Sequence, residues 1–290
     1  MKIIPVFYSE ELMADSGTRS PSASKPKPVV AAWQQARLPI EVRPVVPVNV
    51  EELSLAHDPI FVKAVLERRT NNGFRNRSDD VARSLPYTSG SMLCAARSAL
   101  EEGVACAPVC GFHHAGYDTA SMFCTFNGLV VAARQLMREK RIRRVLILDL
   151  DFHYGNGTDD IINRLQLSKE IENQTFGQWY CTAAQAERYL DHLRRIAGLI
   201  PHFDLVLYQA GADLHVDGPL GDVLDSAQMR ERDRIVFRGA QGAGVPLAWN
   251  LAGGYQEPIS KVISIHTATM EECVGAYVDL QRPCKQEGAG

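Results

Sequence analysis

Several hallmarks of specialised protein classes are missing from this chain. No stretch reaches the ~18 to 20 consecutive apolar residues that a membrane helix needs, and Arg or Asp interrupts each of the longer apolar runs. The 31 Lys and Arg side chains nearly balance the 34 Asp and Glu side chains, which leaves a net charge of −3 and no broad basic surface for nucleic acid. We therefore expect neither a membrane nor nucleic acid as a direct partner, and the oligomeric state stays open.

The chain also lacks the cysteine patterns of a disulfide scaffold. Its seven cysteines include no Cys-x-x-Cys pair, and most of them lie in apolar segments, as buried thiols do. The first residues form a short apolar run with no small-residue cleavage site after it, so we interpret them as a strand and not as a leader. A reducing cytoplasm is the expected location.

What is present is an alternation of short apolar runs with helical patterns. Runs that are apolar at consecutive positions are typical of strands buried on both faces. The pattern predicts an α/β fold, a mostly parallel sheet flanked by helices on both faces, in a single domain over 1–290 with a frayed tail at 282–290. The predicted strands are 3–8, 104–109, 145–150, 205–208 and 246–251. The predicted helices are 29–36, 59–68, 91–102, 120–140, 184–199, 226–237 and 258–272, with loops at 16–27 and 70–82.

Polar side chains follow these strands, where ligands of parallel sheets bind. In VLILDLDFHYGNGT at 145–158, Asp149, Asp151 and His153 stand at alternate positions, which favours one face. Buried carboxylates beside an imidazole are costly unless a cation or hydrogen bonds compensate them, so a metal site is one interpretation and an ion-pair cluster the other. Asp213, after the strand in VLYQAGADLH, is a candidate third ligand that would leave a position open, although a turn is the commoner role for Asp beside Gly.

Two further strand ends carry groups suited to proton transfer and oxyanion binding. In GFHHA at 111–115, His113 and His114 could divide general base and general acid duties, or one could be a core and one a surface histidine. In WNLAGGYQ at 249–256, two glycines allow close backbone approach and the Tyr255 hydroxyl could donate to an oxyanion. A turn followed by a packed aromatic is the alternative.

In this order and spacing, these elements resemble the histone deacetylase and acetylpolyamine amidohydrolase superfamily, as a short member of bacterial type. The motifs that carry the resemblance are GFHHA at 111–115, ASMFCTFN at 120–127, LDLDFHYGNGT at 148–158, AGADLHVDGPLG at 210–221 and LAGGY at 251–255. The resemblance implies an arginase-like α/β fold and a zinc-dependent amidohydrolase, in which metal-activated water removes an acetyl or other acyl group from an amine. Protein lysine, a polyamine or a small metabolite would be the substrate.

The resemblance also implies a role for each matching residue. Asp151, His153 and Asp213 would bind Zn²⁺, although this donor set also accepts Fe²⁺ or Co²⁺. His114 would be the general base and then the acid. Asp149 would orient His113, and Asn156 would accept a hydrogen bond from His114. Tyr255 would stabilise the oxyanion. Three further residues would border the substrate: Phe123, Met122 and Gly254.

Three positions depart from the family pattern, and one region has no assignment. Met122 stands where many relatives have Gly, which predicts a narrower or redirected channel. Tyr154 replaces a second His, and Asn156 replaces an Asp that some relatives carry. A structural monovalent cation is expected near Asp149, but the region 166–182 offers no assignable cation ligand or opposite channel wall. Lys25 lies in the early loop where relatives often have a basic residue near an internal cavity, but we expect its side chain to be solvated.

Two other functions stay open on the sequence. An arginase-like ureohydrolase would require a binuclear metal centre, for which the Asp149 to His153 cluster does not supply a full ligand set. A catalytically silent protein that binds acylated amines would be compatible with Met122 and Tyr154, but the retained ligands and Tyr255 argue against it.

Overall fold

The computed structural model describes residues 2–177 and 179–278 and is built on one seven-stranded sheet. Each pair of neighbouring strands runs parallel, in the order β2-β1-β3-β7-β6-β4-β5. This arrangement confirms the predicted α/β fold with a parallel sheet. The strands are β1 Ile4–Phe7, β2 Ile40–Arg43, β3 Val104–Cys110, β4 Val145–Asp149, β5 Ile171–Thr175, β6 Leu205–Gly211 and β7 Leu247–Ala252.

Helices connect the strands and cover both faces of the sheet. They are α1 Pro26–Gln35, α2 Val50–Leu53, α3 Pro59–Leu66, α4 Asp79–Glu102, α5 Gly128–Arg138, α6 Asn156–Arg164, α7 Ala186–Ala197, α8 Ser226–Ala243 and α9 Ser260–Tyr277. Among the described helices, none is long and apolar enough to cross a membrane. The frayed tail predicted at 282–290 lies outside the described residues.

The consecutive apolar residues of the central strands divide between two cores. In β4, Leu146 and Leu148 face the core formed with α1, α7, α8 and α9, whereas Val145 and Ile147 face the core formed with α3, α4 and α5. All four side chains are fully buried. Burial on both faces explains why these strands show no polar alternation in the sequence.

Several predicted boundaries were wrong because capping residues set the helix ends. The helix predicted at 120–140 begins only at Gly128, where the Asn127 side chain accepts a hydrogen bond from the Val130 amide. The loop predicted at 70–82 ends early, because Ser78 caps α4 and that helix begins at Asp79. The loop predicted at 16–27 likewise ends where α1 begins, with Pro26 in its first turn.

The parallel sheet brings the carboxyl ends of its strands to one edge. The pairing places Asp149 of β4 opposite Gln209 of β6 and Thr175 of β5. At the other side of β6, Gly211 lies opposite Ala252 of β7. The loops that follow β3, β4, β6 and β7 therefore start next to one another and can build one site.

Candidate active site

The polar residues predicted from the sequence meet at this edge of the sheet. His113 and His114 follow β3, Asp149 ends β4, Asp213 follows β6 and Tyr255 follows β7. The two histidines, Tyr255 and Asp213 line one cavity of about 60 Å³, together with Asp151 and His153. The four separate sequence motifs thus contribute to a single site.

Asp151, His153 and Asp213 form a compact cluster of two oxygen donors and one nitrogen donor. One ligand atom from each residue lies within 4.8 Å of the other two. The His153 Nδ1 atom is 3.2 Å from Asp151 Oδ1 and 3.5 Å from Asp213 Oδ2. Both carboxylates are buried, and Asp151 Oδ2 has no hydrogen-bond partner within the described chain. An orphaned buried carboxylate oxygen in such a donor set fits a divalent metal ion.

Three glycines allow the backbone to approach these ligands closely. A Cβ atom at Gly211 would lie 2.5 Å from Asp151 Cα, and one at Gly253 would lie 2.4 Å from Asp213 Cγ. The Gly254 amide donates a hydrogen bond to Asp213 Oδ1, which Gly254 reaches with a left-handed φ of 87°. The positions of both carboxylates therefore depend on residues that have no side chain.

The two carboxylates of the cluster differ in their affinity for protons. Burial and the charge of Asp151 raise the pKa of Asp213 to about 7. Burial alone would also raise the pKa of Asp151, but hydrogen bonds from His153 and the charge of His113 lower it to about 2. A buried carboxylate pair of this kind is electrostatically unfavourable without a cation beside it, which again fits a metal ion.

His113 and His114 lie side by side in contrasting surroundings. The His113 Nδ1 atom is 2.7 Å from Asp149 Oδ2. Burial lowers the pKa of His113, but the charge and hydrogen bond of Asp149, together with the charges of Asp151 and Asp213, raise it to about 9. The His114 Nδ1 atom is 2.6 Å from the neutral Asn156 Oδ1. Burial and the neighbouring His113 charge lower the pKa of His114 to about 4. Near neutral pH the pair thus combines a cationic and a neutral imidazole.

Asp149 is engaged on both carboxylate oxygens. Oδ2 contacts His113, and Oδ1 accepts a hydrogen bond of 2.9 Å from Gln209 Nε2. Among the described residues, the cluster formed by Asp151, His153 and Asp213 is the one group of three that could hold a metal. The structural monovalent cation expected near Asp149 stays a prediction.

Tyr255 and Phe123 form the aromatic wall of the cavity. Their ring centroids lie 5.9 Å apart, and the Tyr255 hydroxyl is 3.3 Å from Ser22 Oγ. Burial raises the pKa of Tyr255, so its hydroxyl keeps its proton and can act as a donor. Tyr154, by contrast, hydrogen-bonds Asp159 and does not line this cavity.

Met122 and Phe123 lie on a turn with unusual backbone geometry. Their φ values are 43° and 68°, a region that residues with side chains seldom occupy. The Phe123 amide donates to the Gly73 carbonyl at 2.9 Å, and the Phe74 ring packs 5.5 Å from the Phe123 ring. Strained backbone held in this way is often found at functional sites.

Several residues at the site were not predicted from the sequence. The Lys25 expectation was wrong, because its side chain is 1% exposed and donates to the Gly253 carbonyl. Ser22 and Cys110 also line the cavity, and no sequence signal marked them. Leu220 lines it as well, and it lies within the motif at 210–221 but was given no role. The segment 166–182 contributes none of its described residues to the cavity lining. Leu220, Met122 and Phe123 line the cavity and are also exposed to solvent.

Comparisons with known proteins agree with this geometry. The family model described as the histone deacetylase domain matches residues 22–174. A protein of Picosynechococcus sp. is 30% identical over 237 residues, which cover 74% of this chain and 79% of that protein. Histone deacetylase 2 of Arabidopsis thaliana is 29% identical over 60% of this chain, and the match spans only half of that enzyme.

A match over a short segment and a match to a solved structure also support the deacetylase family. Acetylpolyamine amidohydrolase of Mycoplana ramosa is 49% identical over 49 residues, which cover 17% of this chain and 14% of that enzyme. The crystal structure of the HDA15 HD domain superposes with a TM-score of 0.77 at 20% identity, over 94% of this chain and 88% of that one. The chain therefore belongs to the histone deacetylase family and carries a hydrolytic deacetylase domain.

Proposed function

We propose that this protein removes an acetyl group from an amine with the help of one zinc ion held by Asp151, His153 and Asp213. The observation that carries the proposal is the cluster itself, two buried carboxylates and an imidazole at the end of a cavity. Three protein ligands leave a coordination position open, as catalytic zinc sites do. A bound zinc ion would polarise the substrate carbonyl and make water a better nucleophile.

His114 is the residue suited to moving a proton in this reaction. When its Nδ1–H donates to Asn156 Oδ1, the other ring nitrogen, Nε2, is left unprotonated. Nε2 can then take a proton from the attacking water and return it to the departing amine. Asn156 fixes this tautomer without adding a negative charge, so the imidazole stays neutral before the reaction.

His113 and Tyr255 are suited to stabilising charge that develops on the substrate. Asp149 holds the His113 ring in its cationic form, and a cation beside the carbonyl favours the oxyanion of the tetrahedral intermediate. The Tyr255 hydroxyl, whose partner in the protein is Ser22, can turn to donate to the same oxyanion. Asp149 holds the His113 ring before the substrate arrives, and such pre-organisation is what makes oxyanion stabilisation effective.

The size of the cavity favours a small acyl group. The cavity has a volume of about 60 Å³, and the smallest cavity that holds one water molecule measures about 10 to 15 Å³ on the same scale. The cavity therefore holds a few non-hydrogen atoms, as in an acetyl group, whereas a long acyl chain would need more space. The names of the Arabidopsis and Mycoplana relatives favour a protein lysine or a polyamine as the amine, and a small metabolite is the third candidate.

The alternative of an arginase-like ureohydrolase has less support. It would require a second metal ion with its own carboxylate and histidine ligands. The described residues provide one cluster, and both oxygens of the nearby Asp149 are occupied by His113 and Gln209. These contacts favour a single metal ion.

The proposal is tested by amine release from a panel of acetylated lysine peptides, acetylpolyamines and small acetylated amines. Zinc-loaded wild-type protein should turn over at least one class, and the Asp213→Ala variant should turn over none. If the zinc-loaded wild-type protein releases no amine from any substrate of the panel, the proposed reaction is rejected and a binding protein is favoured.

A further inference from the structure

A buried ion pair on α8 lies beneath the strand ends that carry the metal-binding carboxylates. Arg232 and Asp233 are both essentially inaccessible to solvent. The Arg232 Nε atom donates to Asp233 Oδ1 at 2.8 Å, and Nη2 lies 2.7 Å from the same oxygen. A guanidinium at this depth is costly to bury, even when it is paired. Its presence requires an explanation beyond the stability of the fold.

The rest of the guanidinium reaches two backbone carbonyls. Nη1 donates to the carbonyl of Leu150, at 3.3 Å, and to the carbonyl of Gly211. Leu150 immediately precedes Asp151, and Gly211 stands two residues before Asp213. One nitrogen atom thus joins the end of β4 to the end of β6, directly behind the two carboxylates.

Asp233 is itself anchored from two further elements. Oδ1 accepts a hydrogen bond from the Tyr208 hydroxyl of β6, and Oδ2 accepts one of 2.6 Å from Thr269 Oγ1 of α9. The Arg232 guanidinium also lies 6.0 Å from the centre of the Tyr208 ring. The planar group is therefore held in one orientation, and so are the carbonyls that it binds.

We propose that Arg232 is a positioning residue of the metal site, which sets the separation of Asp151 and Asp213 by joining the ends of β4 and β6. This inference rests on the proposed metal site. Gly211 packs against Asp151 with no room for a Cβ atom, so a change in the separation of the two strand ends changes the place of the carboxylate directly. Among the described residues, Arg232 hydrogen-bonds the backbone carbonyls of Leu150 and Gly211 and does not line the substrate cavity. Its effect on the metal ligands therefore passes through the backbone.

The test compares the affinity of metal-free variants for Zn²⁺, measured by competition with a chromophoric chelator, and the absorption spectrum of the Co²⁺ forms. Arg232→Lys keeps the charge and most of the volume but cannot pair with Asp233 and bridge two carbonyls at once. We expect its zinc affinity to fall about 10- to 100-fold, as for other changes behind a metal's ligands, with an altered Co²⁺ spectrum.

Two control variants separate positioning from stability. Thr269→Val removes one hydrogen bond of Asp233 but leaves the carbonyl contacts of Arg232, so it should lower the melting temperature and leave zinc affinity within about twofold of wild type. Arg230→Lys changes an arginine of the same helix that pairs with Glu271 and Glu272. It should change neither the affinity nor the spectrum.

The possible results distinguish a failure of the proposed metal site from a failure of the proposed role of Arg232. Failure of wild-type protein to bind zinc would reject the proposed metal site itself. Wild-type binding together with unchanged affinity and spectrum in Arg232→Lys would overturn the role of Arg232. If the lysine variant does not fold, the double variant Arg232→Met with Asp233→Asn removes both buried charges and also the donor that bridges the two carbonyls. Unchanged zinc affinity in that protein would overturn the role equally.

Discussion

Gly211 lies against the backbone of Asp151 so closely that no other residue fits at its position. A Cβ atom there would be 2.5 Å from Asp151 Cα and 2.5 Å from its Oδ2 atom. Since Gly211 ends β6 and Asp151 follows β4, this contact fixes how near the two strand ends come. The site therefore depends on a residue that has no chemical function of its own.

Gly211→Ala should displace Asp151, because the nearest atom belongs to the backbone and cannot rotate away. We expect a loss of about 1 to 3 kcal/mol in the free energy of unfolding, as for other overpacked sites, and weaker zinc binding. Urea unfolding and chelator competition measure the two effects. Gly242→Ala is the matched control in α8, where an added Cβ meets nothing within 4 Å. Zinc binding in Gly211→Ala equal to that of this control would show that the contact does not hold Asp151.

Tyr255→Phe should lower kcat while KM changes little, because the hydroxyl acts on the oxyanion and not on the bound substrate. Removal of one oxyanion donor costs about 10²- to 10³-fold in kcat in other hydrolases. Steady-state kinetics on the best substrate of the panel gives the answer. Ser22→Ala removes the partner of the hydroxyl at 3.3 Å but leaves the hydroxyl in place, and it should retain most of the activity. Near-normal kcat in Tyr255→Phe would contradict the assigned role.

Met122→Gly should widen the mouth of the site without loss of stability. Met122 is 45% exposed and has a φ of 43°, a conformation that glycine adopts without strain. We expect the kcat/KM ratio of butyryl to acetyl substrates to rise. Met122→Ala is the control, since it shortens the side chain but keeps the backbone strain, and it should be less stable than Met122→Gly by about 1 kcal/mol. Equal selectivity in all three proteins would show that Met122 does not limit the acyl group.

His57 should make the protein less stable in acid. Its Nδ1–H donates to the Gly116 carbonyl and its Nε2 accepts from the Asn127 amide, each at 2.8 Å, so the buried ring is neutral. Burial lowers the pKa of His57 from 6.5 to about 4. The unfolded chain therefore takes up the proton at higher pH than the folded chain does. The neutral His57 ring therefore makes its full contribution to the free energy of unfolding above pH 6.5, and this contribution is lost as the pH falls towards 4.

The size of this effect follows from the difference in pKa, which corresponds to about 3 kcal/mol. Urea unfolding between pH 4 and 7 measures it. His57→Gln carries no titratable group, so its free energy of unfolding should depend less on pH over this range than that of wild type. A change at the exposed His202, His202→Gln, serves as the control. The same pH dependence in wild type and His57→Gln would contradict the prediction.

The sequence predicted the centre of the sheet better than its edges. The strands β3, β4, β6 and β7 are apolar at consecutive positions because both faces are buried, and this signal is read directly from the sequence. The edge strand β5 has the sequence IENQT, and its middle residues are only partly buried. Such a strand is held by pairing with its neighbour, which a local pattern does not reveal.

In the site, too, local sequence patterns revealed some residues, whereas others are apparent only from the packing. Carboxylates and an imidazole after apolar strands marked Asp151, His153 and Asp213 as candidates, and the resemblance of their motifs to the deacetylase family made them a predicted ligand set. Lys25 and Arg232 were not, since a cation among helical residues is normally solvated, and only the packing shows that both reach backbone carbonyls next to the site. The single domain over 1–290 stays a prediction.

The most direct test of the account is a zinc titration of the metal-free protein, followed by acetate release from the best substrate of the panel. We predict a rate that rises in proportion to added zinc, reaches its maximum at one equivalent per chain and stays near zero in Asp213→Ala. Full activity in the metal-free protein, or a maximum reached only at two equivalents, would contradict a single catalytic zinc held by Asp151, His153 and Asp213.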